Sequence, residues 1–267
     1  MQLSVITPTL NSLKFIDDCV ANVAAQGDAV FEHIIVDGGS TDGTLEQVTR
    51  LCARHEKLRL IPGPDKGQAD AMNKATAAAR GEIIGVLNVD DYYEPGAARA
   101  ALAVLAQATE PTLVVGDCRV VDENAHEKYW NRPRDLRLET LLLGWPYGQF
   151  PCNPSAYFYH KAVHDIVGGY DVADHYAMDY DFLLACAALV QTRYVPTHWG
   201  NFRLMPGCKT FDDTAGAERV AAIAARHKAR LSPLRRLNMK IIKFRSDLHN
   251  ARKRMANQML GRTQKGS

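Results

Sequence analysis

Gly81-Glu82-Ile83-Ile84-Gly85-Val86-Leu87-Asn88-Val89-Asp90-Asp91 is the stretch that decides the fold. A glycine follows an Ala-rich helical segment. A short apolar block then carries two isoleucines, a valine and a leucine, and stops at Asn88, Asp90 and Asp91 before Tyr92, Tyr93 and Pro95. A buried strand that delivers carboxylates at its C-terminal end is where an open α/β sheet places ligand chemistry. Two adjacent acids at that place imply a cation between them and a substrate.

Outward from this strand, the first half of the chain alternates strand and helix patterns. Residues 3–7 read as a strand ending at Pro8. Asn11 or Ser12 is positioned to cap a helix with Phe15, Ile16, Cys19, Val20 and Val23 on one face. A second strand over 31–36 runs into Asp37-Gly38-Gly39-Ser40-Thr41-Asp42-Gly43-Thr44, where Asp42 can serve as a helix N-cap. A helix over 45–55, a strand over 58–61 and a helix opened by Asp65-Lys66-Gly67 follow. This alternation predicts an α/β fold with a mainly parallel central sheet flanked by helices. Beyond Pro95 the pattern predicts a helix to about 107, a strand over 112–121, an irregular stretch over 123–148, a helix over 179–189, a strand over 192–196 and a helix over 212–230.

With 267 residues, 46% of them apolar and 23% charged, the chain is of ordinary globular composition and needs no staple for its core. The six cysteines never form a C-x-x-C pair, which argues against a structural zinc site and a secreted disulfide framework. The first residues enter a strand pattern with no basic lead and no apolar leader core, and no apolar run is long enough to cross a bilayer. A cytoplasmic protein is the expectation. The net charge of +2 hides an asymmetry: residues 228–267 hold twelve Lys or Arg and a single acid, Asp247, while the rest of the chain is acidic.

Three segments bring polar residues to one predicted sheet edge: Thr7-Pro8-Thr9, Asp37, and Asn88-Val89-Asp90-Asp91. Taken with Asp65-Lys66-Gly67-Gln68-Ala69-Asp70-Ala71-Met72-Asn73-Lys74, these motifs resemble, in the right order, the family 2 inverting glycosyltransferases of the GT-A fold. The resemblance covers about residues 2–210 and implies a domain over 1–231, with a nucleotide-binding half over about 1–122 and an acceptor half over about 123–231.

What the resemblance implies for the residues is specific. Thr7, Pro8, Thr9 and Asp37 line the nucleoside, with Asp37 on the base, and Asp65 and Lys66 reach nucleoside and diphosphate. Asn88-Val89-Asp90 occupies the family's Asp-x-Asp position, with Asn replacing the first acid. Asp90 would hold Mg²⁺ or Mn²⁺ and Asp91 would support the site. A leaving diphosphate gathers negative charge that such a hard cation, held by one or two carboxylates and phosphate oxygens, neutralises. An inverting transfer also needs a general base. In Met178-Asp179-Tyr180-Asp181-Phe182-Leu183 the resemblance places the base at Asp179 and a supporting acid at Asp181; as a bare pattern, acids in a first helical turn also suit the helix dipole. Residues 201–210 resemble a loop that closes over donor phosphates, with Arg203 and Lys209 as phosphate contacts. His198 reads as structural.

The implied activity is metal-dependent transfer of a sugar from a nucleotide-diphosphate sugar, a UDP-sugar in most such proteins, to a glycan or lipid-linked acceptor in surface polysaccharide synthesis. A nucleotidyltransferase, or a non-catalytic sugar-nucleotide binder, is the alternative. Residues 232–267 form a basic amphipathic tail in which Leu237, Ile241, Phe244, Leu248, Ala251 and Met255 make an apolar seam among Lys and Arg. Three readings stand open: a helix on an anionic membrane at the inner face of the plasma membrane, a homodimer contact, or a helix packed on its own domain. Nucleic acid is not expected, since no base-stacking module accompanies the charge.

Overall fold

The computed structural model describes residues 1–174, 177–205 and 214–263, with side chains described up to Ala251 except at 214 and 215. In chain order the elements are β1 (Leu3–Thr9), α1 (Leu13–Ala24), β2 (Val30–Asp37), α2 (Thr44–Cys52), β3 (Leu58–Pro62), α3 (Gln68–Ala78), β4 (Ile83–Val86), β5 (Tyr92–Tyr93) and α4 (Ala97–Leu105). They continue with β6 (Thr112–Val121), β7 (Glu127–Asn131), α5 (Leu138–Leu143), β8 (Tyr157–His160), α6 (Val163–Val167), α7 (Met178–Leu189), β9 (Gln191–Arg203), α8 (Thr214–Ala229) and α9 (Pro233–Thr263).

Among the described residues all nine strands join one sheet in the order β3-β2-β1-β4-β8-β6-β9-β5, with β7 paired to β6. The first four strands in this order are parallel, so β1, β2 and β4 all end at the same edge. Beyond β4 the sheet is mixed: β8 runs antiparallel to β4 and β6, β6 is parallel to β9, and β5 is antiparallel to β9. The parallel expectation thus describes β1 to β4, and the strands beyond β4 add antiparallel pairs.

The apolar faces fall where the periodicity put them. On α1, Ile16, Cys19, Val20 and Val23 are buried against the sheet. The opening strand β4 is buried along its whole length, as a strand covered on both faces must be. Gly85 at its centre has a steric reason: a Cβ there would stand 2.8 Å from the Phe158 ring on neighbouring β8.

Three local expectations are corrected. The side chains of Asn11 and Ser12 do not cap α1; Asn11 Oδ1 accepts from Thr41 N–H, and Leu13 N–H is satisfied by Asp42 Oδ2 at 3.0 Å. Asp42 therefore ties the start of α1 to the start of α2, whose N-cap position is Gly43. The 123–148 stretch is not irregular throughout, since it holds β7 and α5. β9 is much longer than 192–196 and carries its pairing to Arg203, so residues 201–203 belong to a strand end rather than to a loop.

The edge of the parallel strands opposite the acids is fastened by one buried carboxylate. Glu32 is 3% exposed. It accepts from Ser4 Oγ at 2.7 Å and from Arg80 N–H at 2.6 Å and pairs with Arg59, while Ser4 Oγ accepts from Gly81 N–H at 2.9 Å. Burial alone would raise the Glu32 pKa, but these donors outweigh it and hold the group below the usual glutamate range. β1, β2, β3 and the turn into β4 meet at this one side chain.

Because the folded pKa is depressed, the stabilisation from Glu32 is fully present above the ordinary value of about 4.3 and is lost as pH falls through the folded value. Glu32→Gln is expected to lower unfolding free energy at pH 7 by about 2 kcal/mol. In urea melts taken at decreasing pH, the gap between wild type and variant should close below about pH 4; a gap constant down to pH 3 would show that the charge of Glu32 contributes nothing.

Candidate active site at the C-terminal edge of the parallel strands

Parallel register brings Thr9 opposite Asp37, and Asp37 opposite Pro62, at the C-terminal edge. Asp37 is fully buried. Its Oδ1 accepts the N–H groups of Gly39 at 3.0 Å and Ser40 at 2.9 Å. Its Oδ2 and the neighbouring Thr9 Oγ1 are buried with no hydrogen-bond partner among the described residues. A buried carboxylate oxygen without a donor is costly, and one at a sheet edge is explained when a ligand supplies the donor. Gly38 fits closely here, since a Cβ would stand 2.8 Å from Asp65 Oδ2. Asp65 is thereby packed against the Asp37 turn while its Oδ1 accepts Gly67 N–H at 2.8 Å. Lys66 is exposed beside it, at the start of α3. Pro8 is half-buried at the same edge.

Thr7 is the exception, and the expectation that it lines a nucleoside is corrected. It is fully buried, and its hydroxyl is engaged by His33 Nε2 at 2.9 Å with Cys19 Sγ at 3.9 Å. Thr7 shares a sheet face with Thr9 but sits two residues further back along β1, in the layer beneath the edge. Burial also pushes the His33 pKa down to about 3, so that ring is neutral.

The acids after β4 divide sharply. Asp91 is 4% exposed, and its carboxylate collects three donors from three parts of the chain. Asn88 Nδ2 approaches Oδ2 at 3.1 Å, Asn153 Nδ2 approaches Oδ2 at 2.7 Å, and Arg203 N–H approaches Oδ1 at 2.9 Å. Burial first, and the adjacent Asp90 charge second, still push its pKa up to about 7 against those bonds. Asp90 is only half-buried. Burial raises its pKa as well, and the Arg203 guanidinium draws it back. That guanidinium stands over the rings of Tyr92, at 5.6 Å, and Phe15, at 5.9 Å. Asn88 is engaged at both ends, since its Oδ1 also accepts from Gln68 Nε2 at 3.2 Å. Asp90 is therefore the acid left to face a ligand, and Asp91 the acid that assembles the site.

Asp179 lies in the first turn of α7, where the helix N-terminus favours its charge. Burial first, and the Asp179 charge second, push the Tyr157 hydroxyl well above its usual range. Tyr157 begins β8, which runs antiparallel to β4, so this tyrosine lies beside the end of β4 that delivers Asn88–Asp91. Asp179 is thus drawn to the same end of the sheet. Asp181 is not: it points to α8, accepting from Arg226 at 2.6 Å and from His227 at 2.7 Å. These partners, His227 first, hold its pKa low. Its support goes to the α7–α8 contact rather than to the edge. Lys209 lies outside the described residues.

Asn153, Gln68 and Tyr92 belong to this constellation and carried no role in the sequence reading. Asn153 Oδ1 accepts Ser155 N–H at 2.8 Å, which leaves the amide to donate to Asp91.

Comparison with known proteins gives a consistent result. A family model described as Glycosyl transferase family 2 matches residues 4–167. The chain is 32% identical over 198 residues to the PGL/p-HBAD biosynthesis glycosyltransferase of Mycobacterium bovis, covering 72% of this chain and 73% of that one, and a protein of the same name from Mycobacterium tuberculosis matches equally. Among solved structures it aligns with Staphylococcus aureus TarS 1–349 in complex with UDP-GlcNAc at a TM-score of 0.66 and 19% identity, covering 87% of this chain and 68% of that one. It aligns with a mannosyltransferase from Pyrobaculum calidifontis in complex with GDP-Man and Mn²⁺ at a TM-score of 0.56 and 21% identity, covering 90% and 78%. These likenesses show the fold, which is the GT-A fold.

Asn153→Ala removes one of the three donors on a buried carboxylate and is expected to cost about 2 kcal/mol of unfolding free energy. Asn153→Asp should cost more, by placing a second acid against Asp91. Urea denaturation of both variants checks the order; equal stability of wild type and Asn153→Ala would remove Asp91 from its organising role.

Proposed function

This chain belongs to glycosyl transferase family 2 and is a glycosyltransferase, and we propose that it moves a sugar from a UDP-sugar to a hydroxyl of a glycan or lipid-linked acceptor, with inversion and with a divalent metal. The observation that carries the reading is the division of the two acids: Asp91 is consumed by three hydrogen bonds while Asp90 stays half-exposed beside the Arg203 guanidinium.

The donor set suits a hard cation that takes most of its ligands from elsewhere. Asp90 offers one carboxylate, and Mg²⁺ or Mn²⁺ with few protein ligands is completed by phosphate oxygens and water. Such a metal, when bound, supplies charge neutralisation for the departing diphosphate. Arg203 adds a fixed positive charge at that place, and Lys66 is the exposed cation on the Asp65 side. Asp37 Oδ2 accepts a ring N–H of the base, and Thr9 and Pro8 line the nucleoside. Asp179 takes the proton from the acceptor hydroxyl as its oxygen bonds to the anomeric carbon and the bond to the diphosphate breaks on the opposite face.

The tail supports a peripheral membrane reading, on a face that differs from simple self-packing. α9 rests on the domain through half-buried Arg235, Met239 and Ile242, with Arg235 paired to Glu139 at 3.9 Å and Lys243 over the Tyr147 ring at 5.9 Å. Leu237, Ile241, Phe244 and Leu248 stay 40–68% exposed, with Lys240 and Arg245 among them. Among the described residues no helix is long and apolar enough to cross a membrane. An apolar stripe edged by cations suits the interface of an anionic bilayer.

Asp179→Asn should abolish transfer with Mn²⁺ across a panel of sugar nucleotides while UDP affinity, by calorimetry, stays within a few-fold; parallel loss of both would remove Asp179 from the role of base. Chelation with EDTA should stop transfer, and added Mn²⁺ should restore it. Ile241→Glu with Phe244→Glu should release the protein from phosphatidylglycerol vesicles in a flotation assay. If the double variant instead converts a dimer to a monomer in sedimentation with vesicle binding unchanged, the stripe is a dimer contact.

A further inference from the structure

A second concavity lies away from the acids, between the end of β7 and the segment that follows α5. It encloses about 450 Å³ and is lined by Trp130, Arg132, Arg134, Trp145, Tyr147 and Gln149 among others. Its composition is unusual for a solvent-facing cleft. Trp145 is 80% exposed, although a large indole is normally well covered. Trp130 is clamped in place, with His198 at its edge at 4.7 Å and the Arg132 guanidinium over its ring at 4.9 Å.

The acids near the cleft are already matched. Asp135 accepts from Arg137 Nη2 at 2.5 Å, from Arg137 Nε and from the Thr140 hydroxyl at 2.8 Å. Asp117 accepts from the Tyr194 hydroxyl and pairs with Arg132 at 3.2 Å. Arg134 is exposed at the rim; it contacts the Tyr194 hydroxyl but pairs with neither acid. Two flat aromatic faces beside a guanidinium fork form a recognisable pairing: the rings cover an apolar sugar face and the fork takes a carboxylate or phosphate in bidentate fashion.

The cleft is wired to the candidate active site. Arg132 N–H donates to Gln149 Oε1 at 2.7 Å. Asn131 holds the next stretch, donating to Phe150 O at 2.9 Å and accepting from Cys152 N–H at 3.2 Å. Asn153 then donates to Asp91. From Gln149 to Asn153 the chain spans at most about 14 Å, a distance that a short oligosaccharide bridges.

We propose that this cleft is the acceptor subsite and that the acceptor it takes is an anionic saccharide, a sugar bearing a carboxylate or a phosphate. The inference rests on the glycosyltransferase reading for the word acceptor, but the binding of such a sugar can be tested by itself.

The chain reports on the cleft through its own fluorescence. Of its three tryptophans, Trp199 is fully buried, so quenching by a saccharide reports Trp130 and Trp145. Wild-type protein is titrated with an oligogalacturonate tetramer, with N-acetylglucosamine 1-phosphate and with neutral maltotetraose. Saturable quenching by one of the anionic probes, at least tenfold tighter than maltotetraose, is expected, and which probe responds identifies carboxylate or phosphate. Arg134→Ala should weaken that probe at least fivefold and Arg134→Lys less; Trp145→Ala should remove most of the quenching. Both side chains are exposed, and thermal melts verify the fold of the variants. Equal response to maltotetraose, no response to any probe, or full affinity in Arg134→Ala overturns the proposal. A UDP titration of wild type separates the two readings: UDP binding with no saccharide response sinks the cleft alone, whereas a saccharide response without UDP binding keeps the cleft as a sugar site and sinks the donor reading.

Discussion

The interaction on which the rest depends is the buried carboxylate of Asp91 and its three donors. A charge this deep is costly to place and is tolerated only where hydrogen bonds replace the lost water. Here the bonds come from the end of β4, from the turn before β8 and from the last residue of β9. These are separate stretches of chain, and Asp91 is where they meet. The parallel half of the sheet, which carries Asp37 and Asp90, is joined at this point to the mixed half, which carries Arg203. Burial nevertheless keeps the Asp91 pKa up at about 7, so the three donors only partly offset the desolvation. The site is held together by a group that is itself under electrostatic strain.

That strain gives Asn88 a physical meaning. An acid at 88 would stand 3.1 Å from a carboxylate oxygen of Asp91, where the amide nitrogen now stands. Two buried like charges at that distance cannot both ionise. An amide serves both sides, donating to Asp91 and accepting from Gln68. Replacing the first acid of the motif removes one negative charge from the edge and adds one donor to its organiser. The arrangement is coherent with a single exposed carboxylate at Asp90 and with a cation that draws its other ligands from a diphosphate.

Sequence periodicity made the parallel half legible because each of its strands is short, apolar and bounded by turn residues, and each helix carries a clear buried face. Edge residues such as Asp37, Asp90 and Asp91 were legible as a convergence, since strands that alternate with helices run parallel and end at one edge. Which of two adjacent acids is buried was not, because that depends on Asn153 and Arg203, over sixty and over a hundred residues downstream. Thr7 shows the same limit. Thr7 and Thr9 share one face of β1, and two residues of depth along the strand decide between edge and core, which the motif Thr7-Pro8-Thr9 does not reveal. Asp181 looked like a partner of Asp179 because both lie in one helical turn, but two residues on a helix point far apart, and His227 and Arg226 on α8 claim it.

Tyr147 links two outer features of the structure, the aromatic cleft and α9. Its ring lines the aromatic cleft on one side and receives Lys243 of α9 on the other. Tyr147 therefore joins the cleft to α9, the helix that carries the exposed stripe. Trp is suited to a water–lipid boundary by its apolar body and polar N–H. A helix lying in an anionic interface with Leu237, Ile241, Phe244 and Leu248 inward would hold Tyr147, and the cleft it lines, close to that surface. An acceptor carried on a lipid phosphate would then present its charged, membrane-proximal sugar at the level of Arg134, and its growing end toward Asp91. On the two proposals taken together, the stripe would set the height of the enzyme above a lipid surface and the cleft would select what stands at that height.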